Sequence, residues 1–287
     1  MLTFTNQAAL SYRNRVRYSN LTTGQIVDAL TMTKEALTAA YGPEEDVTYV
    51  VRLSNNGTAA LTDLTLTDDL GGYAFDGGTL YPLAYVENSL RFFVNGVEQA
   101  APAVVPGPPM VVSGISVPAG GNGLLIYEAT VTAFAPLGAD GTVVNTVTAT
   151  GGSLAAAVTA SATITAGSGP ELSITKGLSP ETVGADRQVM YTFTIQNEGN
   201  VATATGDDLT VTDTFDPILT DIAVTLNGAP LPQAGNYTYD EATGVFATVA
   251  GVVSVPAATF TQDPVTGVWT AEPGETVLTV TGTIETA

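Results

Sequence analysis

The sequence predicts an all-β chain built as two tandem antiparallel β-sandwiches, the second of them incomplete. Three observations carry this. Threonine occurs 45 times, mostly alternating with Val, Leu, Ile and Ala, which is the composition of half-buried strands. Short alternating segments are separated by turn signals such as SNNGT, PGPP, PAGGNG, NEGN and DPVTG, and no helical period survives between them. The chain also repeats itself. Residues 30–57, LTMTKEALTAAYGPEEDVTYVVRLSNNG, align without a gap to residues 172–199, LSITKGLSPETVGADRQVMYTFTIQNEG, at a constant offset of 142.

The repeat sets the element order. After a three-residue insertion, LTLTDDL (64–70) pairs with LTVTDTF (209–215), which sets Asp68 against Asp213. FVNGV (93–97) pairs with TLNGA (225–229), an Asn-Gly hairpin signal in each copy. LLIYEATVTA (124–133) pairs with TVLTVTGTIE (276–285). Several such strands per copy indicate an antiparallel sandwich of immunoglobulin-like type. Copy 1 then continues into VVNTVTATGG (143–152), whereas the counterpart of that segment stands at the other end of the chain, as FTNQAALSYR (4–13). The expected organisation is an N-terminal donor-strand arm over 1–27, a sandwich over 28–168, and a second sandwich over 169–287 that lacks its closing strand.

Composition removes whole classes of function. The chain has 28 acidic and 8 basic residues, a net charge of −20, and phosphate recognition needs clustered Lys and Arg. Nucleic acid is therefore not an expected partner. With no His and no Cys, imidazole catalysis, zinc sites, thiol chemistry and disulfides are not available to this chain. No apolar run approaches the roughly 20 residues of a membrane-spanning helix, and MLTFTNQAALSYRNRVRYSN has no secretory n- and h-region. A Cys-free, low-charge, Thr-rich β chain suits an extracellular surface, with the export route open. No turnover enzyme and no cofactor are expected.

These motifs resemble the bacterial repeat family labelled domain of unknown function 11. Its pattern runs T-K…P…V…D-x-V-x-Y-T-x-x-x-x-N-x-G…V-T-D…N-T-A-T-V, and stands here as TKEALTAAYGPEEDVTYVVRLSNNG, LTDD and VVNTVTAT, then again as TKGLSPETVGADRQVMYTFTIQNEGN and VTDT. The resemblance implies a surface-layer, adhesin-stalk or spore-appendage protein of a Gram-positive bacterium. The expected role is a structural subunit that polymerises head to tail with itself. The alternative is a stalk module of an adhesin or surface-layer protein that binds a host or matrix ligand.

Chemistry concentrates at one repeated position. The only two lysines are Lys34 and Lys176. Residues of equal parity share a strand face, so Lys34 accompanies Leu30 and Met32, Asp68 accompanies Leu64 and Leu66, and Asn145 accompanies Val143 and Val147. In copy 2, Lys176 and Asp213 repeat the first two positions. Asn6 takes the third, on the arm face that carries Phe4, Ala8, Leu10 and Tyr12. Apolar surroundings disfavour charged ammonium and carboxylate alike, so such a pair can share a proton and leave a nucleophilic amine. The set resembles the Lys–Asn isopeptide triads of Gram-positive pilin and adhesin sandwiches. That implies a Lys34–Asn145 bond catalysed by Asp68, and an intermolecular Lys176–Asn6 bond catalysed by Asp213. The alternative is a buried ion pair with asparagine as hydrogen-bond partner, and Asn197 or Asn200 could replace Asn6. Asp69 has the wrong parity to replace Asp68. Weaker candidates are calcium at Glu44, Glu45 and Asp46 or at Asp207 and Asp208, for which no EF-hand pattern exists, and carbohydrate stacking at Trp269, Tyr237 and Tyr239. No metal site is expected.

Overall fold

Period-two alternation puts one face of each strand in a core and leaves the other wet. The computed structural model describes residues 2–26, 29–152 and 154–284. It follows that rule in the long strands of both units, but not over residues 9–18 or 172–179, where every residue is exposed. The arm contributes β1 (Leu2–Asn6), β2 (Ala9–Tyr12), β3 (Arg15–Tyr18) and β4 (Thr22–Ile26). The chain divides into two compact units, residues 1–136 with 142–165 and residues 137–141 with 166–287. After the arm, the first unit is built from β5 (Leu30–Ala36), β6 (Ala40–Tyr41), β7 (Asp46–Asn55), β8 (Leu61–Asp68), β9 (Tyr73–Phe75), β10 (Gly78–Leu80), β11 (Leu83–Tyr85), β12 (Arg91–Val94), β13 (Val97–Glu98), β14 (Ala103–Val105), β15 (Met110–Val117), β16 (Asn122–Val131), β17 (Thr142–Gly151) and β18 (Val158–Ala166). The second holds β19 (Leu172–Ser179), β20 (Gln188–Asn197), β21 (Thr212–Thr214), β22 (Leu219–Leu226), β23 (Ala229–Pro230), β24 (Tyr237–Asp240), β25 (Val245–Thr248), β26 (Thr259–Gln262), β27 (Trp269–Glu272) and β28 (Gly274–Ile284). Among the described residues a single 3-10 turn, Thr205–Asp207, interrupts the strands. The all-β, immunoglobulin-like sandwich reading holds.

In the first unit one sheet is ordered β13-β12-β16-β7-β5, with β11 also on β16, and the other β14-β15-β8-β17-β18-β6. Between them lie Leu30, Tyr49, Val51, Leu53, Leu64, Leu66, Val112, Ile115, Leu125, Tyr127, Val143, Val147 and Ile164, all buried. Those residues alternate along their strands as the sequence requires. Asn-Gly closes β12 onto β13 and β22 onto β23, and both residues of each pair, Asn95-Gly96 and Asn227-Gly228, have positive φ. That is the type I′ geometry whose twist matches the flanking strands.

The second unit repeats the order of the first sheet as β23-β22-β28-β20-β19, with β22 running along β28 where β11 and β12 run along β16, but its other sheet is only β21-β25-β24. That order matches β8-β15-β14. Among the described residues no strand pairs with the edge of β21 that corresponds to the β17 side of β8. The residues equivalent to β6, Thr182 and Val183, form no strand, because the only partner of β6 is β18 and unit 2 has no counterpart of it. For the same reason the eight-residue β8 has only the three-residue β21 as its counterpart.

The sequence reading is corrected on one point here. What closes the first unit is not a single strand but the antiparallel pair β17–β18, joined along its length from Thr142↔Thr165 to Ala149↔Val158. The arm has the same form. β1 pairs with β4 and β2 with β3, making one long hairpin, Leu2↔Ile26 through Tyr12↔Arg15. Its two-residue turn, Arg13-Asn14, has positive φ at both positions. Ser19 bridges the junction of the two ladders, donating its N–H to Ala8 O and accepting from Ala8 N through its hydroxyl.

Candidate functional site

Lys34 projects from β5 across the first sandwich and meets Asp68 of β8, with Nζ 2.6 Å from Oδ2 and both side chains fully enclosed. The same Oδ2 accepts a short hydrogen bond from the Tyr127 hydroxyl. Oδ1 accepts from the Leu70 N–H at 3.0 Å. Two tyrosines form the floor. Tyr49 and Tyr127 are directly paired across β7 and β16, their rings stack at 5.6 Å, and Lys34 Nζ lies 4.9 Å from one centroid and 5.9 Å from the other. Burial pushes the Lys34 ammonium below its ordinary range, with the Asp68 charge opposing the shift. Burial likewise pushes the Tyr127 hydroxyl well up, reinforced by Asp68.

Asn145 completes the set from β17. Val147 is directly opposite Asp68 in the ladder, so Asn145 is the diagonal neighbour of Asp68 on the same inward face, within reach of a long side chain. Asn145 is wholly buried. Neither its Oδ1 nor its Nδ2 has a hydrogen-bond partner among the described residues, and the Tyr49 hydroxyl is equally unmet. The amide lies beside both tyrosine hydroxyls, near enough to oppose the upward push that burial gives them, without meeting hydrogen-bond geometry. A buried amide with no partner carries the full desolvation cost of its polar atoms, about 1–3 kcal/mol. Asp69 is engaged elsewhere, accepting from the Gly71 and Thr146 N–H groups.

The second unit reproduces half of this. Lys176 Nζ donates to Asp213 Oδ2 through a short contact and lies 4.5 Å from the Tyr191 ring, 5.6 Å from Phe193 and 5.5 Å from Phe215. The surroundings differ. Leu30 and Met32 are 2% and 8% exposed, whereas their counterparts Leu172 and Ile174 are 42% and 55% exposed. The Lys176 side chain is 42% exposed where that of Lys34 is 0%. The lysine of copy 2 therefore stands partly open, in a unit whose second sheet lacks counterparts of β17, β18 and β6. The competing asparagines are committed. Asn197 donates to Val201 O and Pro256 O and accepts from Glu171 N and Gly199 N, so it holds a turn. Asn55 locks the equivalent turn of unit 1 through Ala59, Val117 and Gly57. Asn200 is tied to Leu137 O, Gly167 O and Gly169 N.

Asn6 ends β1, paired with Thr22, whose hydroxyl donates to Asn6 O. Phe4, Ala8, Leu10 and Tyr12 are all exposed. The sequence reading missed the tyrosines as site residues. Their signal was present, since Tyr49 and Tyr191 recur at the offset of the lysines, but Tyr127 has no aromatic counterpart: Val280 stands opposite Tyr191. The weaker candidates resolve into local structure. Glu45 accepts from Gly42 N, Asp46 from the Thr130 hydroxyl and Asp207 from Ala204 N. Among the described residues no group of three or more acidic side chains could hold a metal. Tyr237 packs in the second core and Tyr239 Oη donates to Leu219 O.

No family model matches the chain, so the resemblance to the domain-of-unknown-function-11 repeats rests on the motifs alone. No curated protein matches it. Among solved structures it is similar to the major pilin subunit BcpA of Bacillus cereus (10% identity, 95% of this chain and 73% of that one, TM-score 0.38). It is also similar to the pilus backbone RrgB of Streptococcus pneumoniae (12% identity, 85% of this chain and 55% of that one, TM-score 0.34). A third is the collagen-binding domain of a Staphylococcus aureus adhesin (11% identity, 48% of this chain and 99% of that one, TM-score 0.31).

Proposed function

We propose that the chain is a structural subunit of an extracellular filament on a bacterial cell or spore surface, polymerising head to tail when the arm of one copy completes the second unit of the next. One observation carries the reading. The second unit reproduces one sheet of the first in full and stops three strands short in the other, while a hairpin of the same form as the β17–β18 pair stands exposed in the arm. An open sheet edge and an uncovered apolar face attract a complementary strand. With Asn6 set at the Asn145 position, Phe4, Ala8 and Leu10 fall where Val143, Val147 and Ala149 fill the first core. A contact between two different surfaces propagates into a fibre unless the rotation closes a ring.

Within each subunit the same reading makes Lys34 and Asn145 an internal brace. The amine attacks the Asn145 carboxamide, Asp68 shuttles the proton, and ammonia leaves. The unpartnered Asn145 amide beside an ammonium that burial already disfavours is what supports this.

Assembly is tested by electron microscopy and size-exclusion chromatography of the whole chain and of a variant lacking residues 1–26. Fibres from the whole chain and monomers from the deletion are expected. Fibres that persist in the deletion would refute arm exchange, and a stable monomeric whole chain would favour a stalk module.

A further inference from the structure

We infer that Lys176 is a docking-gated cross-linking site, forming an amide with Asn6 of a second copy only after that copy's arm has covered it. This deepens the polymerisation reading above and rests on it.

The first argument is the half-built site. Lys176 and Asp213 are already in contact, over an aromatic floor at nearly the distances found beneath Lys34. The two asparagines of their own unit that were candidates for the third position, Asn197 and Asn200, are both spent on turn hydrogen bonds. The second is register. Asn145 lies two residues from the position opposite Asp68. A hairpin docked in that register puts Ala8 opposite Asp213 and Asn6 on the diagonal, facing Lys176. One-residue slippage would turn Asn6 and every apolar arm residue to the wrong face. The third is exposure, which supplies the gate. The Lys176 side chain is 42% exposed in the free subunit, so its surroundings are not yet dry. The incoming arm brings both the carboxamide and the wall that excludes water.

The step balances without a co-reactant. Asp213 takes a proton from the Lys176 ammonium and donates a hydrogen bond to Asn6 Oδ1. The Nζ–Cγ bond forms, a second proton passes from Nζ to Nδ2, the Cγ–Nδ2 bond breaks, and ammonia departs, leaving a neutral amide and a protonated Asp213. Holding amine and amide together in a dry core supplies effective concentration in place of strong activation.

Filaments are to be boiled in denaturing detergent and run beside Asn6→Ala and Lys176→Arg filaments, with digested wild type examined by mass spectrometry. The expected result is a wild-type ladder of multimers that is lost in both variants, and a peptide pair joining residues 6 and 176 that is one ammonia lighter than its parts. Since the variants keep the arm and its apolar face, they are expected still to form filaments under native conditions. Wild-type filaments that collapse to a single 29.3 kDa band overturn the cross-link and leave the assembly reading standing. Failure of the wild type to assemble at all overturns both. A ladder surviving in Asn6→Ala assigns the bond to another residue and rejects this one.

Discussion

Lys34 occupies a position that physical chemistry permits only with compensation. Its ammonium is enclosed and faces a carboxylate and two tyrosine rings. Removing Asp68 leaves a buried charge unpaired, which costs about 3–5 kcal/mol, so Asp68→Ala is expected to melt well below wild type and to keep its full sequence mass. The cross-link also has a pH signature. In Asn145→Ala the amine cannot be consumed, and its folded value lies below the ordinary 10.5. Between those two values the unfolded chain binds a proton that the folded one does not, so stability of this variant rises with pH across that window. Cross-linked wild type has no amine at residue 34 and lacks this contribution. Chemical denaturation from neutral pH to just below the tyrosine range measures the difference, and parallel pH profiles would argue that wild-type Lys34 is still free. The three polar residues were legible in the sequence because strand parity sets side-chain direction. That the site of Lys176 stands open was legible only through the missing closing strand, because parity is silent about which strands cover a face.

At the scale of the element, the arm hairpin solves a packing problem differently from the pair it resembles. In β17–β18, Val143 lies opposite Ile164. In the arm, Phe4 lies opposite Gly24, and its ring covers the glycine so closely that a Cβ there would stand 2.3 Å from Phe4 Cζ. A large and a small residue thus replace two of middle size. Gly24→Val is expected to overpack the hairpin by about 1–3 kcal/mol and to raise the protein concentration needed for assembly several-fold or more. The double variant Phe4→Val with Gly24→Ile copies the β17–β18 pair and is expected to recover most of that loss. Sedimentation of polymer from monomer reads both, and additive losses in the double variant would show that the two positions do not pack as one unit. The Asn-Gly turns and the repeated sheet order were readable from short patterns. The two-stranded nature of the arm was not, because TTGQI lacks the apolar alternation by which a buried strand announces itself and RVRY alternates over only four residues.

At the scale of the whole molecule, charge is distributed unevenly. Residues 1–27 carry three arginines and no acid, so +3 of the net −20 sits in the arm and the rest of the chain carries −23. Opposite charge speeds encounter and fixes orientation, and exposed charges more than about 10 Å apart are screened at 0.1 M salt. Assembly rate is therefore expected to fall as sodium chloride is raised from low to physiological concentration, more than the final extent of polymer does. Neutralising Arg13, Arg15 and Arg17 together should remove most of that salt dependence. Light scattering follows both, and a rate indifferent to salt would mean that apolar contact alone guides docking.

The unmatched edge of β21 has a further consequence for any polymer made this way. Each subunit that joins fills one vacancy and brings another, so a filament of any length keeps a single receptive end and a single donating end. Such a polymer is polar, and the uncovered apolar surface it presents per unit mass shrinks as it lengthens. Growth is limited by the number of ends and not by the number of subunits. A protein that offers only one of the two surfaces would act as a cap, fixing where a filament starts or how long it becomes.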